Sequence, residues 1–280
     1  MALSYSLTSC IDGFSSRVKI DAYPSFSSAF VEPRQVEVLL PHDYDPQKTY
    51  DVIYMHDGQN VFNPHTSYGG IAWEVQWPVR RLIRQGKIRP VIIVAIWNTP
   101  LRMREYMPAK PDSLIRKKTD HHDWSGEPLS DNYLKFLVHE LKPFIDETYS
   151  TNPERESTFV MGSSMGGLIS FYAMAEYPGV FGGAACISTH WPALDGIFLD
   201  YVARNTPHPG HHKLYFDFGT ATLDSLYLPY QLRVDSMMKA MGYTEGKDWV
   251  TKRFEGATHS EKDWAARVHI PLLFLVGEDR

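Results

Sequence analysis

Val160-Met161-Gly162-Ser163-Ser164-Met165-Gly166-Gly167-Leu168 is the stretch on which the reading of this chain turns. A short apolar run, Ser157 to Met161, leads into Gly-x-Ser-x-Gly, and a helix-compatible apolar segment, Leu168 to Ala175, follows it. The pattern is strand, sharp turn, helix, with a serine at the bend. A side chain held out on such a turn needs small neighbours two residues away. Gly162 and Gly166 supply them, and Gly167 lets the helix pack close to the sheet. The free N–H groups at the helix N-terminus then face Ser164 and favour negative charge developing there. A plain Gly/Ser turn between a strand and a helix also satisfies the bare five-residue pattern. The flanking strand, the helix and the second glycine are what single out Ser164 as a nucleophile.

Outward from that turn, strands and helices alternate. Residues 16–24 and 35–40 alternate polar and apolar positions, as half-buried strands do, and are expected to pair as an antiparallel edge. Tyr50 to Met55 and Val91 to Ile96 are denser in apolar residues, as strands buried on both faces are. A helix is expected over residues 71–86. Another is expected from Ser130 to Tyr149, with Leu134, Leu137, Val138, Leu141, Phe144 and Ile145 on one face and Pro143 bending or breaking it. Beyond the serine, strands are predicted at Gly183–Ser188, Leu214–Phe218 and Trp249–Phe254, with helices from Pro229 to Met241 and from Ser260 onward. Trp97 to Leu129 and His190 to His212 lack a clean period and read as long irregular insertions. The expected architecture is α/β: a mostly parallel sheet of eight strands with an antiparallel N-terminal edge and helices on both faces, in a single domain over residues 1–280.

Composition narrows the function. The 280 residues are 43% hydrophobic and 22% charged, with a formal net charge of -5, so no basic surface points to nucleic acid. The two cysteines, Cys10 and Cys186, form neither a disulfide framework nor a zinc pattern. No stretch approaches the roughly 18 apolar residues of a membrane span, so no membrane partner is expected. The first twenty residues lack a basic start followed by an apolar core, which reads as a cytoplasmic protein; a mature secreted form would look the same.

A parallel sheet gathers its chemistry at the carboxyl ends of its strands. Found there are His56-Asp57-Gly58-Gln59, Trp97-Asn98, Ser164, His190-Trp191, Asp224 and His259. A serine hydroxyl needs a base within hydrogen-bond reach, and the base needs an orienting carboxylate, in the chain order Ser, acid, His for this arrangement. His259 sits in a loop between a strand and a helix and is preferred as base over His269, which lies beside Pro271 in an apolar segment. Asp217 falls inside the penultimate strand and Asp224 in the loop after it. A carboxylate that must turn toward a histidine favours Asp224, whose alternative reading is a turn or capping residue. The oxyanion of a tetrahedral intermediate needs two backbone donors, expected from Met165 and from Gln59. Trp97, Trp124, Trp191 and Tyr227 are the candidates for lining a substrate pocket with flat faces, though each singly also suits packing. Arg102, Arg104, Glu105 and Tyr106 read equally as an anion site or as loop-ordering ion pairs. His121-His122-Asp123 and the histidines at 208, 211 and 212 lack metal-ligand spacing, so no metal is expected.

Three stretches together resemble a known family: Tyr54-Met55-His56-Asp57-Gly58-Gln59-Asn60-Val61-Phe62, Arg104-Glu105-Tyr106-Met107-Pro108 and Gly162-Ser163-Ser164-Met165-Gly166-Gly167. They are similar to the putative-esterase family of α/β-hydrolases, which holds esterase D-like, enterochelin esterase-like, feruloyl and acetylxylan esterases and mycolyltransferases. The similarity runs from about Val36 to Trp264. It implies an α/β-hydrolase fold and a serine esterase without cofactor, with Ser164 as nucleophile, Asp224 as acid, His259 as base, and Gln59 and Met165 as oxyanion donors. The family's acid often sits in Gly-Thr-x-Asp; here three residues separate Thr220 from Asp224. The expected substrate is a small-molecule or carbohydrate ester with a short acyl or aryl group. Acyl transfer by the same fold, or a non-catalytic binding protein built on it, are the alternatives.

Overall fold

The computed structural model describes residues 2–11, 14–110 and 126–278. Among the described residues, nine strands form one sheet in the order β1-β2-β3-β5-β4-β6-β7-β8-β9. β1 (Leu3–Ile11), β2 (Phe14–Phe26) and β3 (Arg34–Leu39) run antiparallel to their neighbours, β3 pairing with β5 (Val91–Ile96). From β5 onward the sheet is parallel, through β4 (Asp51–His56), β6 (Thr158–Ser163), β7 (Gly183–Ile187), β8 (Lys213–Gly219) and β9 (Trp249–Phe254). This is the expected fold with one strand added. Leu3, Tyr5 and Leu7 alternate with Ser4, Ser6 and Thr8, so β1 carried a period-2 signal of its own.

β4, β5, β6 and β7 are buried at every position, which requires cover on both faces. Alternate residues of β4 enter two separate cores. Val52 and Tyr54 pack with one set of helices and Ile53 and Met55 with the other. The first core holds α3 (Ser130–Phe136), α4 (Lys142–Thr148), α5 (Met165–Glu176), α6 (Phe198–Asn205) and α7 (Leu228–Ala240). The second holds α1 (Gln76–Arg84), α8 (Glu261–Arg267) and α9 (His269–Val276).

Several local expectations change. The helix expected at 71–86 shortens to α1, because the segment before it bonds back to the loop after β4: Trp73 N donates to Asn60 O and Val75 N to Val61 O. Pro143 does not break its helix. A π-helical turn, Leu137–Leu141, joins α3 to α4 and holds His139, the carbonyl four residues before the proline that a regular helix would force against its ring. The two insertions are not wholly irregular: α2 (Arg102–Tyr106) lies in the first and α6 in the second. Phe198, Leu199, Tyr201 and Val202 give α6 its buried stripe. Among the described residues, no helix is long and apolar enough to cross a membrane.

Candidate active site

Ser164 stands between the last residue of β6 and the first of α5, with φ 58° and ψ -118°. A non-glycine residue holds such a conformation only when its surroundings over-determine it. Here the Ser164 N–H donates to Ile187 O of β7 (2.9 Å), and its carbonyl accepts from His190 N (3.1 Å). Gly162 is obligatory for steric reasons, since a Cβ there would lie 2.7 Å from the Gly166 backbone. Met165 opens α5, so its N–H has no partner within the helix.

The carboxyl end of β8 leads to Asp224, the acid expected from the sequence. Asp224 lies in a 3₁₀ turn, Thr222–Leu226, and the Thr222 side chain accepts a hydrogen bond from His259 N at 2.9 Å, tying the two loops together. Asp224 Oδ1 is 2.5 Å from His259 Nδ1. Its Oδ2 accepts from Gly219 N and from Ser188 Oγ, both at 2.6 Å. Burial alone would raise the Asp224 pKa; the hydrogen bonds from His259, Ser188 and Gly219 outweigh it and hold the carboxyl below its ordinary value. Asp217 stays inside β8 and is committed elsewhere, with Arg267 Nη2 3.0 Å from Oδ1 and Tyr215 Oη donating to Oδ2 at 2.9 Å.

Ser164 and His259 line one cleft of about 410 Å³ with Asp57, Gln59, Asn60 and Asn98. A larger cavity, about 650 Å³, lies at the opposite, amino end of the parallel strands, lined by residues such as Lys213 and Asp248. Ser164, Asp224 and His259 are all away from it, and the carboxyl ends of the strands are where this topology places ligands. The loop after β4 enters the cleft through a tight turn. Asp57 has φ 56°, and a Cβ on Gly58 would lie 2.7 Å from the Ile96 backbone. Arg102 clamps that turn through Nε to Asp57 Oδ1 and Nη2 to Oδ2, each 2.7 Å. Asn98 adds Nδ2 to Asp57 Oδ1 at 2.6 Å, and its N–H donates to Gln59 Oε1 at 3.2 Å. Burial would raise the Asp57 pKa, but the Arg102 charge and these hydrogen bonds depress it. The arginines and Glu105 of this segment are thus loop-ordering: Arg34 pairs with Glu105 in full burial, and Arg104 Nε donates to Glu127 O.

The aromatic residues singled out from the sequence do not gather as a wall. Trp191 is 1% exposed, stacked on Phe198 and hydrogen-bonded to Gln231 Oε1 at 2.8 Å, so it belongs to the core. Trp97 reaches across to β3, where Nε1 donates to Glu37 Oε2 at 3.2 Å, and is not part of the cleft lining. Trp124 lies outside the described residues, as do His121, His122 and Asp123. Tyr227 is buried, but its hydroxyl is at the site, 2.7 Å from His190 Nδ1 and 3.5 Å from His259 Nδ1. Burial, then the charges of His259 and Arg102, lowers the His190 pKa to about 4.

The other rings that line the cleft are Tyr68, 80% exposed, and Trp264, which lies T-shaped to the His259 ring with centroids 4.8 Å apart. Neither was singled out from the sequence, nor was Glu261, which lines the cleft two residues after His259. A strand–loop–helix start right behind a candidate base was the available signal. Burial, with a contribution from Asp57, raises the Glu261 pKa. Among the described residues, no group of three or more His, Cys, Asp or Glu is placed to hold a metal.

The family described as Putative esterase matches residues 27–269. The uncharacterized protein YbbA of Bacillus subtilis (strain 168) is 23% identical over 257 residues, which span 88% of this chain and 94% of that protein. The ferri-bacillibactin esterase BesA of the same organism is 27% identical over 161 residues, spanning 55% and 53%. Among solved structures, the ferulic acid esterase AmCE1/Fae1A of Anaeromyces mucronatus superposes with a TM-score of 0.67 at 18% identity, covering 91% of this chain and 90% of that one.

Proposed function

The chain belongs to the Putative esterase family, and on that premise we propose that it is a serine carboxylesterase, a single-domain enzyme working through Ser164, His259 and Asp224. The observation that carries the reading is the 2.5 Å contact from Asp224 Oδ1 to His259 Nδ1, made beside a cleft that also holds Ser164 on its strained turn. Ser164 Oγ attacks the ester carbonyl carbon while His259 Nε2 takes its proton. The Met165 and Gln59 N–H groups receive the oxyanion. The bond from carbon to the alcohol oxygen then breaks, and His259 protonates that oxygen as the alcohol leaves. Water attacks the acyl-enzyme, gives its proton to His259, and the acid departs as Ser164 recovers its own. Asp224 holds the imidazole with Nδ1 protonated and stabilises the imidazolium.

The substrate reading is a small ester with a short acyl or aryl group, its alcohol polar and carbohydrate-like. The lining supports it: Asn60, Asn98, Arg102 and Glu261 offer polar contacts, Tyr68 and Trp264 offer ring faces, and the described lining contains no Leu, Ile or Val to build an acyl channel. Relatedness to BesA, named for a ferri-bacillibactin ester, supports ester chemistry without specifying this acyl group. A serine-directed fluorophosphonate tests the mechanism. It labels the native chain and not Ser164→Ala; equal labelling of both, or none of either, overturns the reading. A p-nitrophenyl series from acetate to palmitate tests the substrate: kcat/KM falls with chain length, and a rise toward palmitate overturns it.

A further inference from the structure

Behind the Asp224–His259 pair lies a buried cluster that the reaction as described does not use. Ser188 follows β7, is fully buried, and holds φ 39°, in the left-handed region that a serine rarely occupies. Its N–H donates to Asp217, at 2.9 Å to the carbonyl oxygen and 3.2 Å to Oδ1. Its hydroxyl oxygen receives Trp264 Nε1 at 3.0 Å and Arg267 Nη2 at 2.9 Å. An indole N–H and a guanidinium can only donate. Two donors therefore occupy the lone pairs of Ser188 Oγ, and its own proton has one direction left, to Asp224 Oδ2 at 2.6 Å. Arg267 is fixed in turn by Asp217, with Nε 3.2 Å from Oδ2 and Nη2 3.0 Å from Oδ1.

We infer that Ser188 is a positioning residue: oriented by Trp264 and polarised by the Arg267 cation, its hydroxyl fixes the rotamer of Asp224 and sets how strongly that carboxylate holds a charged His259. The inference rests on the reading of Asp224 and His259 as acid and base. The same indole that aims Ser188 packs edge-on against the His259 ring, so one side chain of α8 aligns both ends of the pair. A donor shared with Asp224 Oδ2 draws negative charge away from the oxygen facing His259. Without it, the imidazolium is better stabilised and the base stays protonated to higher pH. Among the described residues, the other ionisable groups around the pair are Tyr227 and His190, Asp57 in the cleft, Glu261 and Asp263 on α8, Arg102 on α2, and the Asp217–Arg267 pair itself. Only the last reaches Asp224 through Ser188.

The test is the pH dependence of kcat/KM for p-nitrophenyl acetate with Ser188→Ala. The expected result is kcat lower by ~10- to 100-fold and the acid limb moved up by about half a pH unit or more. A folded variant with reduced kcat and an unmoved acid limb has lost only packing, and overturns the inference. Trp264→Phe is the second variant, because a phenyl ring keeps the packing against His259 and removes the N–H that Ser188 Oγ receives. It moves the limb in the same direction by less, and an unmoved limb there as well counts against the inference even if Ser188→Ala does not fold. Ser164→Ala run alongside separates the two levels. Undiminished turnover in Ser164→Ala ends the triad reading, whereas lost turnover there with unmoved limbs in both variants ends the Ser188 inference alone.

Discussion

Arg102 grips Asp57 with two parallel hydrogen bonds, Nε to Oδ1 and Nη2 to Oδ2, both 2.7 Å, and this pair holds the turn that carries Gln59 into the cleft. The guanidinium is the one group that can fix both oxygens of a carboxylate in a plane. Arg102→Met leaves a nearly buried carboxylate at Asp57 without its cation. The expected cost is about 3 kcal/mol of stability, together with a drop of roughly 10- to 100-fold in kcat as the Gln59 N–H loses its aim. Thermal melting and steady-state kinetics check this; an unchanged melting temperature with unchanged kcat refutes the clamp.

Gly58→Ala probes the same turn from its other side. The added methyl would meet the Ile96 backbone at 2.7 Å and the Ala95 carbonyl carbon at 2.8 Å, in a strand buried at every position. Neither partner can rotate away, so the turn itself must move. Stability is expected to fall by about 1–3 kcal/mol, with kcat more affected than KM. A variant with native kcat would show that the turn does not position a catalytic donor.

Trp191→Ala distinguishes core from pocket. The ring stacks on Phe198 and meets Phe171 edge-on, and its N–H is used by Gln231. Truncation should cost about 3–5 kcal/mol and leave Gln231 Oε1 without that donor. The ratio of kcat/KM values between p-nitrophenyl acetate and longer esters should stay as in the native chain. A change in that ratio would return Trp191 to the substrate site.

Acid should destabilise the protein well above the carboxylate range. Burial lowers the pKa of His56 to about 3 and that of His190 to about 4, so both are neutral in the folded chain where an unfolded histidine, near ~6.5, is charged. The unfolded state therefore binds more protons in this window. The contribution is complete above about pH 6.5 and is lost as pH falls through the folded values, at up to about 1.4 kcal/mol per pH unit for each group. The depressed Asp57 and Asp224 extend the loss below the usual carboxylate range. Melting temperature should fall steadily from pH 7 to pH 4.5, and His190→Gln should flatten that slope. A native profile level over this range contradicts the assignment of neutral buried histidines.

Much of the architecture was legible locally. A β strand that must be covered on both faces writes its burial directly into composition, as Tyr50 to Met55 and Val91 to Ile96 do, and the alternation after them dictates a parallel sheet. Ser164 was legible for the same reason, since the steric demands of its turn fall on Gly162 and Gly166, two residues away. His259 and Asp224 could be proposed because parallel topology sends side chains of interest to the loops after strands. The rule for proline is local and predicts a bend or a break at Pro143, whereas the π-helical turn that absorbs it depends on the packing of the whole helix.

The sequence by itself determined most of the succession of strands and helices along the chain, the turn that holds Ser164, and the pool of polar residues at strand ends. Only the tertiary structure decided how that pool divides. Asp217 and Asp224 are seven positions apart and chemically identical, and what separates them is that Arg267 comes to one and His259 to the other. Trp191 and Trp264 are the same side chain, yet one fills the core and the other borders the cleft and aims Ser188. Propensity and periodicity act over a few residues, so they fix elements. A carboxylate's partner is fixed by contacts across 35 to 50 residues of chain, and those exist only once the sheet has brought the ends of β7, β8 and β9 together.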